Sequence, residues 1–301
     1  MNFKFKQNFL YWLCCVLFCG YPNLGLHAQS KKGVDLITSL VQAEKNFAKD
    51  VANKGQRQGF LDVITPNAIL FRPGPVNAQD FFQKKSIFHG SLLWTPTWAE
   101  ISKDGYFGYT TGPYSFLIND TTYYGEYVSI WRRDPYQKKW QLFLDAGISH
   151  GKPHKPEESL AFPEHSVPTY PNIFPKVIAA SKDILFATDE LFATILNTRP
   201  TEKAYSDYLN PDSRLFLEGL YPIKGSDSIL HYLSLSKGIY ACHTTGAYVC
   251  YSRDMGFTYG KGEFIDAYRK KPKDHKFNYL RIWQKNNDGL WHIILEMHMP
   301  A

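Results

Sequence analysis

Two carboxylates stand at corresponding places in this chain, and their neighbours determine what chemistry they could do. Asp145 lies in the stretch 124–147, YGEYVSIWRRDPYQKKWQLFLDAG, and Glu296 in 277–296, FNYLRIWQKNNDGLWHIILE. Each stretch reads as two strands joined by a polar turn, with Tyr127, Trp131 and Trp140 answered by Tyr279, Trp283 and Trp291. Strand alternation puts Phe143, Asp145 and Gly147 on one face of the last strand and Trp140, Leu142 and Leu144 on the other. In the second stretch it groups Ile294, Glu296 and His298, with His275 and Tyr279 on the neighbouring strand. A carboxylate on a mostly apolar wall is pushed towards its neutral form by desolvation, which suits a general acid or base. Glu296, His298 and Tyr279 converging on one space would supply a base, a proton shuttle and a hydrogen-bond donor. The structural alternatives are an Asp145 tied to tyrosine or backbone groups and a His298 frayed with the C-terminus.

Other chemistries are weaker. His150-Gly151-Lys152-Pro153-His154 has HxxxH spacing, but Gly and Pro exclude the helix that would aim both rings at one ion, so no metal is expected. No GxSxG, Walker or GxGxxG fingerprint is present, and no cofactor is expected. Trp94 and Trp98 flank a short Pro-containing stretch, where they either pack at the core or rim or stack on a flat apolar or sugar-like ligand.

The elements that must hold these groups follow from the rest of the chain. The 301 residues allow two domains, and 44% hydrophobic with 16% aromatic content argues for cores and for β-rich structure. Lys4 and Lys6, the apolar run 9–18 and the small and polar residues up to Ala28 read as a signal peptide, residues 1–28, cleaved near Ala28 for export to the periplasm or medium. The apolar run is too short to span a bilayer, so no integral membrane segment is expected after cleavage. Phe18 before Cys19 fits a lipobox poorly. Cleavage removes two lysines, taking the formal charge from +6 to +4, and no basic run is interleaved with aromatics, so nucleic acid is not expected as a partner. Cys242 and Cys250 fall in one expected strand, roughly 26 Å apart at about 3.3 Å per residue, too far for a disulfide.

Helices are expected over 36–53, 58–64 and 78–87, a short strand over 67–71, and long strands over 94–102, 106–117, 124–133 and 139–148. Six prolines between 152 and 176 mark a linker. The order then repeats: 189–193 echoes 44–48, 208–216 echoes 63–71, and 256–260 echoes 108–112. The chain therefore reads as a duplication, with domains 29–151 and 177–301, of an α+β unit.

Both copies resemble the nuclear transport factor 2-like superfamily, which includes SnoaL-like and ketosteroid-isomerase-like proteins. The first is similar to the exported branch labelled DUF4440, through Ala43-Glu44-Lys45-Asn46-Phe47-Ala48, the run 94–102, the run 105–114, and Tyr127, Trp131, Trp140 and Asp145. The second matches more loosely, with Cys242 and Gly246 where the first has Trp94 and Trp98. The resemblance implies two tandem cystatin-like cones, each a curved antiparallel sheet packed on N-terminal helices. It also implies that the Asp145 face looks into the cavity, joined by Tyr123 and Tyr127. It further suggests that the two sheets pack on each other as an intramolecular pseudo-dimer, burying Val128, Ile130, Leu142 and Leu144. The expected role is binding of a small apolar or aromatic molecule. A cofactor-free isomerase, dehydratase or hydrolase and a structural protein with filled cones are the alternatives.

Overall fold

The computed structural model of the chain describes residues 24–84, 89–154, 158–163, 175–235, 238–266 and 275–301. Most of the expected signal segment lies outside these residues, while the first helix, α1 (Leu24–Lys54), starts ahead of Ala28. In α1 the positions Leu36, Leu40, Phe47 and Val51 are buried at helical spacing, and Glu44 is buried in the same stripe. After it come α2 (Gln56–Leu61), β1 (Ile64–Phe71), β2 (Pro75–Asn77) and α3 (Ala78–Lys84). The meander follows as β3 (Ser91–Trp94), β4 (Trp98–Ile101), β5 (Phe107–Ile118), β6 (Thr121–Arg133) and β7 (Trp140–His150).

The expected strand over 94–102 is two strands. Pro96 has no N–H to give the ladder. Thr95 and Thr97 instead donate to Pro113 and Thr111 across the break. Gly112 faces it so closely that a Cβ there would stand 2.1 Å from the Thr95 carbonyl oxygen.

The second half repeats the order: α4 (Pro175–Thr198), α5 (Thr201–Ser206), β8 (Leu209–Leu217), β9 (Ile223–Lys224), α6 (Ser226–Ser234), β10 (Gly238–Val249), β11 (Met255–Asp266), β12 (His275–Lys285) and β13 (Trp291–Pro300). The first sheet runs β2-β1-β7-β6-β5-β3 with β4 also on β5, and the second β10-β11-β12-β13-β8-β9. Both are antiparallel except for one parallel pair each, β1 with β7 and β8 with β13.

Three apolar clusters hold the molecule. One packs α1, α2 and α3 on the inner face of the first sheet, a second does the same for α4, α5 and α6, and a third is built from both sheets. The third joins Val128, Ile130 and Leu144 to Phe257, Leu280 and Ile282, and full burial of side chains of this size contributes roughly 1.5–3 kcal/mol each. Two turns interlock beside it. Lys103 N–H donates to Asp254 (3.0 Å), and Ser252 N–H donates to Asp104 (2.7 Å). Gln284 reaches across to donate to the buried Glu100 (2.6 Å), whose carboxyl burial pushes up to about 7. The linker touches the first sheet at Ala161, which bridges to Trp98. Cys242 and Cys250 are buried and unpaired.

A β-bulge corrects the expected faces of β7. Opposite β6, Ile130 pairs with Leu144 and Trp131 with Leu142, which leaves Phe143 as an extra residue. Trp140 and Leu142 therefore point to the helices, and Phe143, Leu144, Ala146 and Ile148 point to the other sheet. The same shift occurs in β13, where Ile282 pairs with Leu295 and Trp283 with Ile293, so Ile294 joins the shared cluster. Phe143 and Ile294 were expected on the cavity face. They lie between the sheets instead, and Leu142, expected between the sheets, lies inside the cone.

Candidate functional site

After the bulge, Asp145 and Gly147 face the hollow of the first cone, and the hollow is open. A cavity of about 480 Å³ is lined by Asp145, Gly147, Tyr127, Tyr123, Trp94, Tyr114, Phe116 and Arg72 among others. That volume lies within the range of small-molecule sites. The wall combines aromatic rings with polar groups, among them Gln56, Arg72, Asp145, Ser149 and the tyrosine hydroxyls. Asp145 has 14% of its side chain exposed, and an Arg72 nitrogen stands 3.6 Å from its carboxylate. Burial pushes the Asp145 carboxyl up to about 6, against the opposing pull of Arg72 and Ser129. The Tyr127 hydroxyl is buried and has no hydrogen-bond partner among the described residues. It is a donor and acceptor left for something in the cavity. Tyr123, half exposed, stands where solvent reaches the wall.

Behind the wall sits Glu44, fully buried on α1. Its carboxylate accepts from Trp94 Nε1 (2.5 Å), Trp131 Nε1 (2.7 Å) and Thr110 Oγ1 (2.5 Å). Burial nonetheless holds its carboxyl up at about 7, with those three hydrogen bonds opposing. The sequence reading did not single out Glu44, although it named the helix motif containing it. A carboxylate on the apolar stripe of a helix is the signal that points to it. Trp94 thus lines the cavity while its indole N–H is tied to Glu44.

Trp98 is elsewhere. It belongs to the cluster between the sheets, donates to the Tyr109 hydroxyl (3.0 Å), and carries the Arg214 guanidinium over its ring (3.9 Å). A ligand in the cone does not meet it.

The second cone is built alike, with an arginine set between its two carboxylates. Its helix carboxylate is Asp189, matching Glu44, and its strand carboxylate is Glu296, matching Asp145. Where the first cone has Ser129, the second has Arg281. Arg281 is fully buried and donates to Asp189 (2.7 Å) and to Glu296 (Nε, 3.0 Å), and one of its amino nitrogens also lies 3.7 Å from the Cys242 sulfur. Asp189 also accepts from Tyr279 and Thr244, each at 2.7 Å. His298 Nε2 lies 2.7 Å from Glu296 Oε1, and its ring stacks on Phe277 at 4.1 Å. Burial alone would raise the Glu296 carboxyl; Arg281 and His298 override it and hold it down to about 2. The expected base, shuttle and donor are therefore brought together and tied to one another or to Arg281 and Asp189, with Glu296 Oε2 left without a hydrogen-bond partner among the described residues. Glu296 is locked as an anion, and Tyr279 spends its hydroxyl on Asp189. For His275 the structure gives a place at the start of β12 and no account of its side chain.

Among the described residues no group of three or more His, Cys, Asp or Glu is placed to hold a metal ion. No helix there is long and apolar enough to cross a membrane.

Each half is an α+β unit of helices packed on one face of a mostly antiparallel sheet. Solved structures similar to this chain include an NTF2-like protein from Cytophaga hutchinsonii (16% identity, 40% of this chain and 97% of that one, TM-score 0.33). A ketosteroid isomerase-like protein from Erwinia carotovora atroseptica is similar at 20% identity, over 41% of this chain and 92% of that one, with a TM-score of 0.31. A putative calcium/calmodulin dependent protein kinase II association domain from Xanthomonas campestris is similar at 18% identity, over 39% and 86%, with a TM-score of 0.34. No family model and no curated protein matches the chain.

Proposed function

We propose that this is an exported small-molecule-binding protein in which the first cone takes the ligand and the second supports it. In this reading residues 1–28 are removed, 29–151 form the binding domain, 152–176 the linker and 177–301 the supporting domain. The two cones make an intramolecular pseudo-dimer, a reading supported by the apolar cluster shared between their sheets. The carrying observation is the contrast at equivalent positions: Ser129 leaves space beside Asp145, while Arg281 occupies it beside Glu296. The ligand has an aromatic or apolar body for Trp94, Tyr114 and Phe116 and a polar group for Asp145 and Tyr127.

Carboxyl NMR of the whole chain with a library of small aromatic fragments tests this. Asp145 should titrate near 6 and shift with a bound fragment, and Asp145→Asn should weaken that fragment's binding. Fragments that move neither Asp145 nor the Tyr127 ring would refute an open first cone.

A second reading rests on Asp145 being held at about 6 beside an unpartnered tyrosine hydroxyl, a pairing suited to moving a proton on the bound molecule. It requires Asp145-dependent exchange of solvent deuterium into a bound ligand. Binding without exchange leaves the binding reading alone.

A further inference from the structure

A second cavity, of about 390 Å³, lies between the two halves. The first half contributes Glu126 and His150 from β6 and β7, on the side away from the cone's hollow, and the second contributes Tyr221 and Lys224 from around β9. His150 Nδ1 lies 2.7 Å from the Gly151 carbonyl oxygen. A carbonyl can only accept, so Nδ1 carries the proton, and Nε2 of the neutral ring presents a lone pair. That side chain is 1% exposed, and Nε2 has no hydrogen-bond partner among the described residues.

Facing Nε2 at 3.6 Å is a carboxylate oxygen of Glu126, whose side chain is 13% exposed. The separation is too long for a direct hydrogen bond, and both atoms are acceptors when Glu126 is ionised. An N–H group seated between them would satisfy both. The charges agree. Lys224 is engaged by Glu158, so the cleft's nearby cation is committed, and among the described residues His150 alone lies within ion-pair reach of Glu126. Burial correspondingly pushes the Glu126 carboxyl up to about 7. The remaining surface is apolar: Pro113, Pro153 and Pro222, with the Tyr221 ring 4.7 Å from that of His150.

We propose that this cleft is a second binding site, for a small organic amine whose ammonium is held between the Glu126 carboxylate and His150 Nε2. The amine's body lies on the prolines and Tyr221, whose ring face also favours a nearby cation. His154 and Glu158 stand at the same cleft. The site is independent of the first cone's cavity, which opens on the other face of the same strands.

The test uses the whole chain at pH 8 with benzylamine, benzyl alcohol and benzoate as probes. Benzylamine should bind at least about tenfold more tightly than benzyl alcohol, the worth of one hydrogen bond to a charged group. It should shift the His150 ring protons and lower the pH at which Glu126 titrates, and Glu126→Gln should remove the preference. Equal binding of amine and alcohol, a preference for benzoate, or binding unchanged in Glu126→Gln would overturn the proposal. So would benzylamine moving the Asp145 signal and not that of Glu126. Should Glu126→Gln fail to fold, the wild-type Glu126 titration decides, and a titration unmoved by benzylamine refutes the site.

Discussion

Replacing Arg281 with methionine removes one guanidinium and exposes the energetics of the second cone. Arg281, fully buried, serves two fully buried carboxylates, Asp189 and Glu296. Glu296 is held at about 2 against an ordinary 4.5. That difference, at about 1.4 kcal/mol per pKa unit, makes roughly 3 kcal/mol of stability. Because the folded value is depressed, this stability is present above pH 4.5 and is lost as the pH falls towards 2. Methionine fills much of the volume and supplies no charge, so Asp189 and Glu296 are left buried without their counter-ion. Breaking such a pair costs about 3–5 kcal/mol at pH 7. In the variant burial pushes the Glu296 carboxyl up, so the deficit should shrink towards pH 4, where its protonation relieves it. Urea unfolding of both proteins from pH 4 to 7.5, followed by tryptophan fluorescence and far-UV circular dichroism, gives the difference directly. Adding Asp189→Asn and Glu296→Gln to Arg281→Met should restore much of the loss, since no buried charge then remains unpaired. A deficit below about 1 kcal/mol at pH 7, or one that does not change between pH 4 and 7.5, would refute the reasoning, since breaking a buried pair is costly.

Glu44 should show the opposite sign. Its folded value is raised to about 7, so its contribution is fully present below 4.5 and is lost as pH rises through 7; the rise in urea midpoint from pH 8 to 5 should flatten in Glu44→Gln. Phe143→Ala should destabilise by about 3–5 kcal/mol through the cavity left between the sheets, while the Asp145 titration stays where it was. Trp94→Phe should weaken fragments bound in the first cone, and Trp98→Phe should leave their affinity unchanged within titration error. Gly112→Ala should lower the melting temperature, because its Cβ would meet the Thr95 carbonyl at 2.1 Å.

The duplication, the α+β order and the equivalence of Asp145 with Glu296 are all legible in the residues, because two hairpins with matching tyrosines and tryptophans leave little freedom in how they align. The faces of β7 and β13 are not. Phe143-Leu144 and Ile294-Leu295 are apolar pairs, so either phase of alternation looks reasonable until the partner strand's register is known. The state of the second cone was readable in part. Arg281 lies two residues from Tyr279 on an inward face, and a charge there announces a partner. Naming that partner required the helix carboxylate Asp189, far away in sequence. For Trp94 and Trp98 the residues left core packing and ligand stacking both open; the break at Pro96 separates the two, and Trp98 packs between the sheets.

The extra residue in β7 makes the first cone's chemistry depend on a bulge as well as on composition. Up to Leu142 the even-numbered side chains look inward; from Asp145 onward the odd-numbered ones do. Deleting Phe143 restores simple alternation and leaves every cavity residue facing as before, with Leu142 and Asp145 inward and Leu144 between the sheets. Straightening the strand with Phe143 still in it is what would swing Asp145 towards the seam and put Leu144 and Ala146 on the wall. The counterpart in β13 extends this to both halves: aligning residue types locates the carboxylates, and only the bulge at Phe143, or at Ile294, says which way they point.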